Sequence, residues 1–175
     1  MTDVSSPVLR AASAADAEAI ATLWHDGWRD GHLGNVPEGL LEHRRLESFR
    51  ERVPPRLATT TVAVLGARLV GFVTVKDDEV ENIYVARDAR GTGAATLLLN
   101  RGEAAIAARY ERAWLAVATG NARARRFYAR EGWIDSAGID YPAETAGGTF
   151  VVPCRRYEKH LGVRAGERAG VSEDR

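Results

Sequence analysis

At 175 residues the chain is long enough for one domain with a full core and short for two. Lys+Arg and Asp+Glu both number 24 and the hydrophobic share is an ordinary 45%, so bulk charge selects neither nucleic acid nor an anionic membrane as partner. The single cysteine, Cys154, cannot form an internal disulfide, and neither an apolar signal core nor an apolar run of about 18 residues occurs. The expected location is the cytoplasm.

Residues 1–7 are polar and expected to be loose, and Val8-Leu9-Arg10 can supply a first strand. Ser13-Ala14-Ala15-Asp16 has the form of a capping box opening a helix. Ile20, Leu23, Trp24, Gly27 and Trp28 then repeat at helical spacing, an apolar stripe that ends in a polar cluster of His25, Asp26, Asp30 and His32. After the Gly34-Pro37 break, residues 38–52 read as a second helix with Leu46 and Phe49 inward. Glu42, His43, Arg44, Arg45 and Glu47 form its solvated face, and Pro54-Pro55 ends it. Thr59–Leu65 and Leu69–Lys76 alternate β-formers around a Gly66 turn, a hairpin, and Asp77-Asp78 turns into a third strand.

That third strand runs into Arg90-Gly91-Thr92-Gly93 and then into an Ala/Leu-rich helix from Ala94, with Leu98, Gly102 and Ala105 on one line and Leu97 and Ile106 beside it. Glycines at a strand-to-helix turn let the backbone approach a ligand, and the first helical N–H groups have no partner inside the helix. The turn is therefore an anion site carrying about half an elementary charge, to which Arg90 adds a whole one. A diphosphate fits it. Downstream, Trp114–Thr119 reads as a buried strand, and Asn121 as the N-cap of a helix through Arg130 with Ala124, Phe127 and Tyr128 on one face. Trp133 begins a further strand, and a last one spans about Thr149 to Glu158 after Gly147-Gly148. The expected layout is a flexible 1–7, one domain over 8–161, and a Gly- and charge-rich disordered tail over 162–175.

Arg90-Gly91-Thr92-Gly93-Ala94-Ala95 resembles the Arg/Gln-x-x-Gly-x-Gly/Ala signature of the GNAT superfamily of acyl-CoA-dependent N-acetyltransferases. Ile83-Tyr84-Val85 resembles the end of that family's fourth strand, WLAVATGNARARRFYAREGW its second conserved block, and Arg155–Lys159 its closing strand. The element order matches as well, so the resemblance covers about residues 8–160. It implies an α/β (α+β) fold with a mixed, mostly antiparallel twisted sheet of about six or seven strands flanked by about four helices.

The resemblance implies transfer of an acetyl group from acetyl-CoA to a primary amine in a ternary complex, with no metal. Backbone amides of Arg90, Gly91, Thr92, Gly93, Ala94 and Ala95 would hold the diphosphate, and pantetheine would pair with backbone at Ile83 and Val85 if the fourth and fifth strands splay. Asn121 matches the family's cofactor-facing asparagine, although the helix-cap reading also accounts for it. Tyr128 matches the tyrosine that protonates the leaving thiolate, and a core role beside Phe127 is its alternative. An oxyanion donor on the fourth strand would need a bulge there.

An alkyl amine with a pKa near 10 is only about one part in a thousand neutral at pH 7, a cost of about 4 kcal/mol that a base offsets. Glu79 and Glu81, two apart on a strand, share a face, with Ile83 and Val85 expected to continue it. Glu79 stands where many family members carry a glutamate, and Glu81 lies nearer the expected thioester; reach favours Glu81 slightly, and solvent-exposed edge carboxylates are the alternative for both. Trp28 and His32 fall where the family's acceptor lies, with core packing as the alternative for Trp24 and Trp28 and a solvated or structural role as the alternative for His32. Trp24 and Trp28, if exposed there, would favour an apolar acceptor, and nearby carboxylates a cationic one.

A dinucleotide site would need a glycine where Thr96 stands, no Gly-Lys-Ser/Thr loop occurs, and no Cys/His spacing suits zinc. The rival reading is a module of the same fold that binds acyl-CoA without turnover. Family members are often homodimers, but no stretch fixes an interface.

Overall fold

The computed structural model describes residues 6–162. The expected loose start and the expected tail lie almost wholly outside the described residues.

One seven-stranded sheet in the order β1-β2-β3-β4-β5-β7-β6 organises the chain. Its strands are β1 (Val8–Ala11), β2 (Thr60–Leu65), β3 (Arg68–Lys76), β4 (Glu79–Val85), β5 (Arg112–Ala118), β6 (Ile134–Thr145) and β7 (Gly148–His160). Every neighbouring pair is antiparallel except β4 and β5. The helices are α1 (Ala17–His32), α2 (Glu38–Glu42), α3 (Leu46–Arg52), α4 (Ala94–Ala107) and α5 (Ala122–Arg130). This is the expected mixed, mostly antiparallel α/β architecture. The helix expected over 38–52 is broken at His43–Arg45.

The sheet separates two cores. On one face Leu98, Leu99 and Ile106 of α4 and Tyr128 of α5 pack on Val73, Val80, Leu115 and Tyr157. Fully burying each such aliphatic side chain is worth ~1.5–3 kcal/mol. The inward line of α4 runs through Ala94, Leu98 and Gly102, whereas Leu97, expected beside it, is 39% exposed and Ala105 also faces solvent. Gly102 lets α4 lie close to the sheet, since a Cβ there would come to 3.2 Å from the Val73 side chain. On the other face Ile20, Trp24 and Trp28 of α1 and Phe49 of α3 pack on Val62, Phe72 and Val152.

The entrance to α1 follows its sequence signal: Asp16 accepts the Ser13 N–H at 2.8 Å and is clamped by Arg10 at 2.7 Å, which holds its carboxyl well below the usual range. Lys159 and the Trp133 indole N–H both donate to Glu103, each at 2.9 Å, and so fasten β7 and the exit of α5 to α4. Among the described residues no helix is long and apolar enough to cross a membrane.

Candidate active site

Parallel neighbours β4 and β5 meet only at Glu79 and Trp114. There the Trp114 N–H donates to the Asp78 carbonyl at 3.0 Å and its indole N–H to the Asp78 carboxylate at 3.1 Å. Beyond that point the strands part, although β4 remains paired to β3 on its other side and β5 to β7. The facing backbone edges of Ile83–Val85 and Ala116–Ala118 are therefore left without ladder partners, available to an extended ligand.

The parting has a local cause. Thr74 pairs with Asn82 but Val75 with Val80, so Glu81 is an extra residue, a β-bulge that bends β4 away. The bulge also corrects the expected alternation. Val80, Ile83 and Val85 all pack in the α4-side core, an odd step that only an inserted residue allows, while Tyr84 packs against α1. Ile83 and Val85 therefore do not continue the face of Glu81, which turns toward Arg56 on the α3 side.

At the open end of the groove stands the start of α4. Gly93 is its N-cap at φ 86° and Gly91 lies at φ 80°, left-handed conformations that cost a side-chain-bearing residue roughly 1–2 kcal/mol. Not all the amides expected to hold an anion are free. Arg90 N–H donates to the Arg87 carbonyl at 3.3 Å, Thr92 N–H to the Ala89 carbonyl at 3.4 Å, and Ala94 N–H to the Thr92 hydroxyl at 3.4 Å. The N–H groups of Gly91, Gly93, Ala95 and Thr96 have no acceptor among the described residues. The Arg90 guanidinium is not a free charge either, because it donates to Asp30 at 2.8 Å. Arg123 and Arg126 line the same groove, whereas Arg125 serves the fold, reaching the Thr119 carbonyl, Tyr157 and Asp135.

The groove encloses about 1870 Å³. Pockets for one small ligand run ~300–1,000 Å³, so two substrates can meet in it. Asn121 caps α5 by accepting the Ala124 N–H at 3.2 Å and also lines the groove. Tyr128 lines it too, its ring packed on Phe127, Trp133 and Tyr157. Its hydroxyl has no hydrogen-bond partner among the described residues, and burial raises its pKa, so it remains a proton donor at neutral pH.

The two strand carboxylates have different surroundings. Glu81 accepts from Arg56 through both oxygens, Nη2 to Oε1 at 2.8 Å and Nε to Oε2 at 3.0 Å being the shorter contacts. Glu79 has no such partner among the described residues. Burial, and then the nearby negative charges of Glu81 and Asp78, push its pKa up from 4.5 to about 7.

On the α1 side Trp24 is core, 2% exposed. Trp28 is also buried, but its ring lies parallel to His32 at 4.7 Å and both residues line the groove. The His32 Nδ1–H donates to the Trp28 carbonyl over 2.8 Å, and burial, together with the charge of Arg44, lowers its pKa and favours the neutral imidazole. Helix α1 can lie this close because Gly27 sits on the Tyr84 ring, where a Cβ would be 2.5 Å from Cδ1. Cys154 also faces the groove, its thiol pushed up to about 11 by burial and so protonated at neutral pH. Residues that sequence reasoning did not assign to the site are Arg44, Arg52 and Tyr141. Arg44, expected on a solvated face, is only 6% exposed.

A parted parallel strand pair, a bulge beside it and a glycine-bounded helix start together define a site for an elongated ligand with an anionic end. Residues 18–133 match the family described as "Acetyltransferase (GNAT) family", and the chain belongs to that family. Several solved structures share the fold. A GCN5-related N-acetyltransferase from Rhodopseudomonas palustris is 23% identical, with 87% of this chain and 95% of that chain covered at a TM-score of 0.67. The putative acetyltransferase YncA from Salmonella typhimurium, solved with acetyl-CoA, is 17% identical over 95% of this chain and 100% of that chain, with a TM-score of 0.67. PaiA N-acetyltransferase from Thermoplasma acidophilum, in complex with coenzyme A, is 18% identical over 89% and 99%, with a TM-score of 0.63. No protein of curated function matches the chain in sequence.

Proposed function

We propose that this protein transfers the acetyl group of acetyl-CoA directly to a primary amine. The observation that carries the reading is the junction of β4 and β5, paired at one position and open beyond it toward the unoccupied amides of Gly91, Gly93, Ala95 and Thr96. Pantetheine pairs with the β4 edge at Ile83 and Val85, and the diphosphate takes the α4 amides with Arg123 and Arg126 beside it. The resulting complex brings the thioester toward the bulge, where the β4 backbone supplies the N–H that receives the developing oxyanion.

Glu79 takes one proton from the incoming ammonium, and the neutral amine attacks the thioester carbonyl. As the C–N bond forms, the C–S bond breaks and Tyr128 gives its phenolic proton to the departing sulfur. The second proton of the attacking nitrogen returns to Tyr128, and Glu79 releases its own to solvent. A protonated, buried Cys154 thiol is no nucleophile, in keeping with direct transfer. Between the two carboxylates, Glu79 is assigned the base because Glu81 already accepts from Arg56 through both oxygens.

Thiol release from acetyl-CoA against a panel of primary amines tests the reading. Amine-dependent release is expected. Stabilisation by coenzyme A with no turnover on any amine would instead support an acyl-CoA-binding module.

A further inference from the structure

About half of the described arginines pair with an acid, as Arg10 does with Asp16, Arg50 with Glu18, Arg68 with Asp88 and Arg155 with Asp135, and most of the others are exposed. Arg44, which is buried, and Arg52, which is half-buried, pair with none among the described residues. Arg44, 6% exposed, spends one N–H on the Glu144 carbonyl at 3.2 Å and has no carboxylate within reach among the described residues. Arg52 sits over Trp24, its guanidinium carbon 4.4 Å from the ring centroid, and makes no side-chain hydrogen bond among those residues. Both line the groove on its α3 side. Burial, and then repulsion from Arg44 and Arg56, lowers the pKa of Arg52 only to about 10, and a guanidinium keeps its proton at pH 7.

A buried guanidinium without an acid is costly, since its charge is neither hydrated nor paired. The pairing gives the sign of what is missing. Arg56 is matched by Glu81, whereas Arg44 and Arg52 line the same groove with no ion-pair partner among the described residues. A plain alkylammonium beside them would add a further unpaired cation. An acceptor that brings its own carboxylate cancels the charge already there, and the planar fork of a guanidinium is shaped to donate to both its oxygens. Tyr141, Glu79, Glu81, Arg44 and Arg52 all line this one groove, so the anion-holding arginines and the base open into the same space.

We propose that Arg44 and Arg52 form a carboxylate-binding subsite and that the acceptor is an amino acid or a close amino-carboxylate. The inference rests on the acetyl-transfer reading above and narrows its acceptor. The carboxylate is held by the two guanidinium edges, and the amine points along Tyr141 toward Glu79.

Calorimetric titration of the coenzyme A-loaded protein tests it, with each standard L-amino acid run against the amine left by its decarboxylation. At least one amino acid should bind about tenfold or more tightly than its decarboxylated partner, the usual worth of hydrogen bonds to a charged group. Arg52→Gln should bring that ratio near one with coenzyme A affinity unchanged, and Arg52→Lys should keep part of it. Arg44→Gln is the second variant; if it fails to fold, the Arg52 pair carries the test. Decarboxylated amines binding as well as amino acids would overturn the proposal, as would tighter binding of aminoalkyl phosphonates than of any carboxylate, failure of every amino acid to bind, or a ratio indifferent to Arg52. Coenzyme A affinity and thiol release on other amines are read in the same preparations, so the transferase reading can fail or survive separately.

Discussion

Replacing Glu79 by glutamine should make the protein more stable and less active, and only above a definite pH. The carboxyl titrates near 7 in the folded chain against 4.5 when free. Between those values the native state holds a proton that the unfolded chain has released, so stability falls as pH rises through the window and the whole penalty is present above about 7. At ~1.36 kcal/mol per pH unit the rise sets an upper bound of about 3 kcal/mol, and solvent in the open groove reduces this to about 1–2 kcal/mol. Glu79→Gln carries no charge at any pH, so chemical denaturation should show it more stable than the native chain by about that amount at pH 8 and equal to it at pH 4. Its turnover should move the other way. An alkyl ammonium must lose a proton at a cost of about 4 kcal/mol at pH 7, and a positioned base typically contributes 10²–10⁴-fold, so thiol release at pH 7.5 should fall by about 10²-fold or more. The acidic limb of the native kcat/KM profile, centred near pH 7, should disappear with it. A variant that keeps both limb and rate, or a limb removed by Glu81→Gln instead, would refute the assignment.

Tyr128→Phe should cut turnover by about 10²-fold while leaving coenzyme A affinity unchanged, because only a hydroxyl without a protein partner is lost; calorimetry beside the thiol assay separates the two. Glu103→Ala leaves the Trp133 indole N–H without its acceptor and the Lys159 ammonium with only the Glu131 carbonyl, and urea unfolding should show a loss of about 1–3 kcal/mol. Gly71→Ala puts a Cβ 2.8 Å from Leu98 Cδ1 and 3.0 Å from the Tyr84 carbonyl, so the β3–β4 pair must shift and about 1–3 kcal/mol should be lost in the same assay.

Elements whose signal is local were legible in the sequence. The capped entrance to α1, the Ala- and Leu-rich α4 with its glycine start, and Asn121 at the head of α5 follow from neighbours within a turn of the chain. The hairpins follow from alternation around Gly66 and Gly147-Gly148. What the sequence hid depends on contacts from far along it. The bulge at Glu81 is set by the register against β3, and no local feature of the residues between Val80 and Asn82 announces it. Arg44 looks like one more charge in a polar helix, yet Glu144, a hundred residues on, supplies the carbonyl that draws it inward, and the helix breaks there. Glu79 and Glu81 read as near equals until Arg56, 25 residues away, is seen to occupy one and leave the other.

The most direct test of the account is where coenzyme A touches the chain. In isotope-labelled protein followed by amide NMR, coenzyme A should shift Ile83 and Val85 together with Gly91, Gly93, Ala95 and Thr96, while pantetheine, which lacks the diphosphate, should shift the first pair and leave the last four in place. Amides at the start of α4 that ignore coenzyme A, or that respond equally to pantetheine, would contradict it.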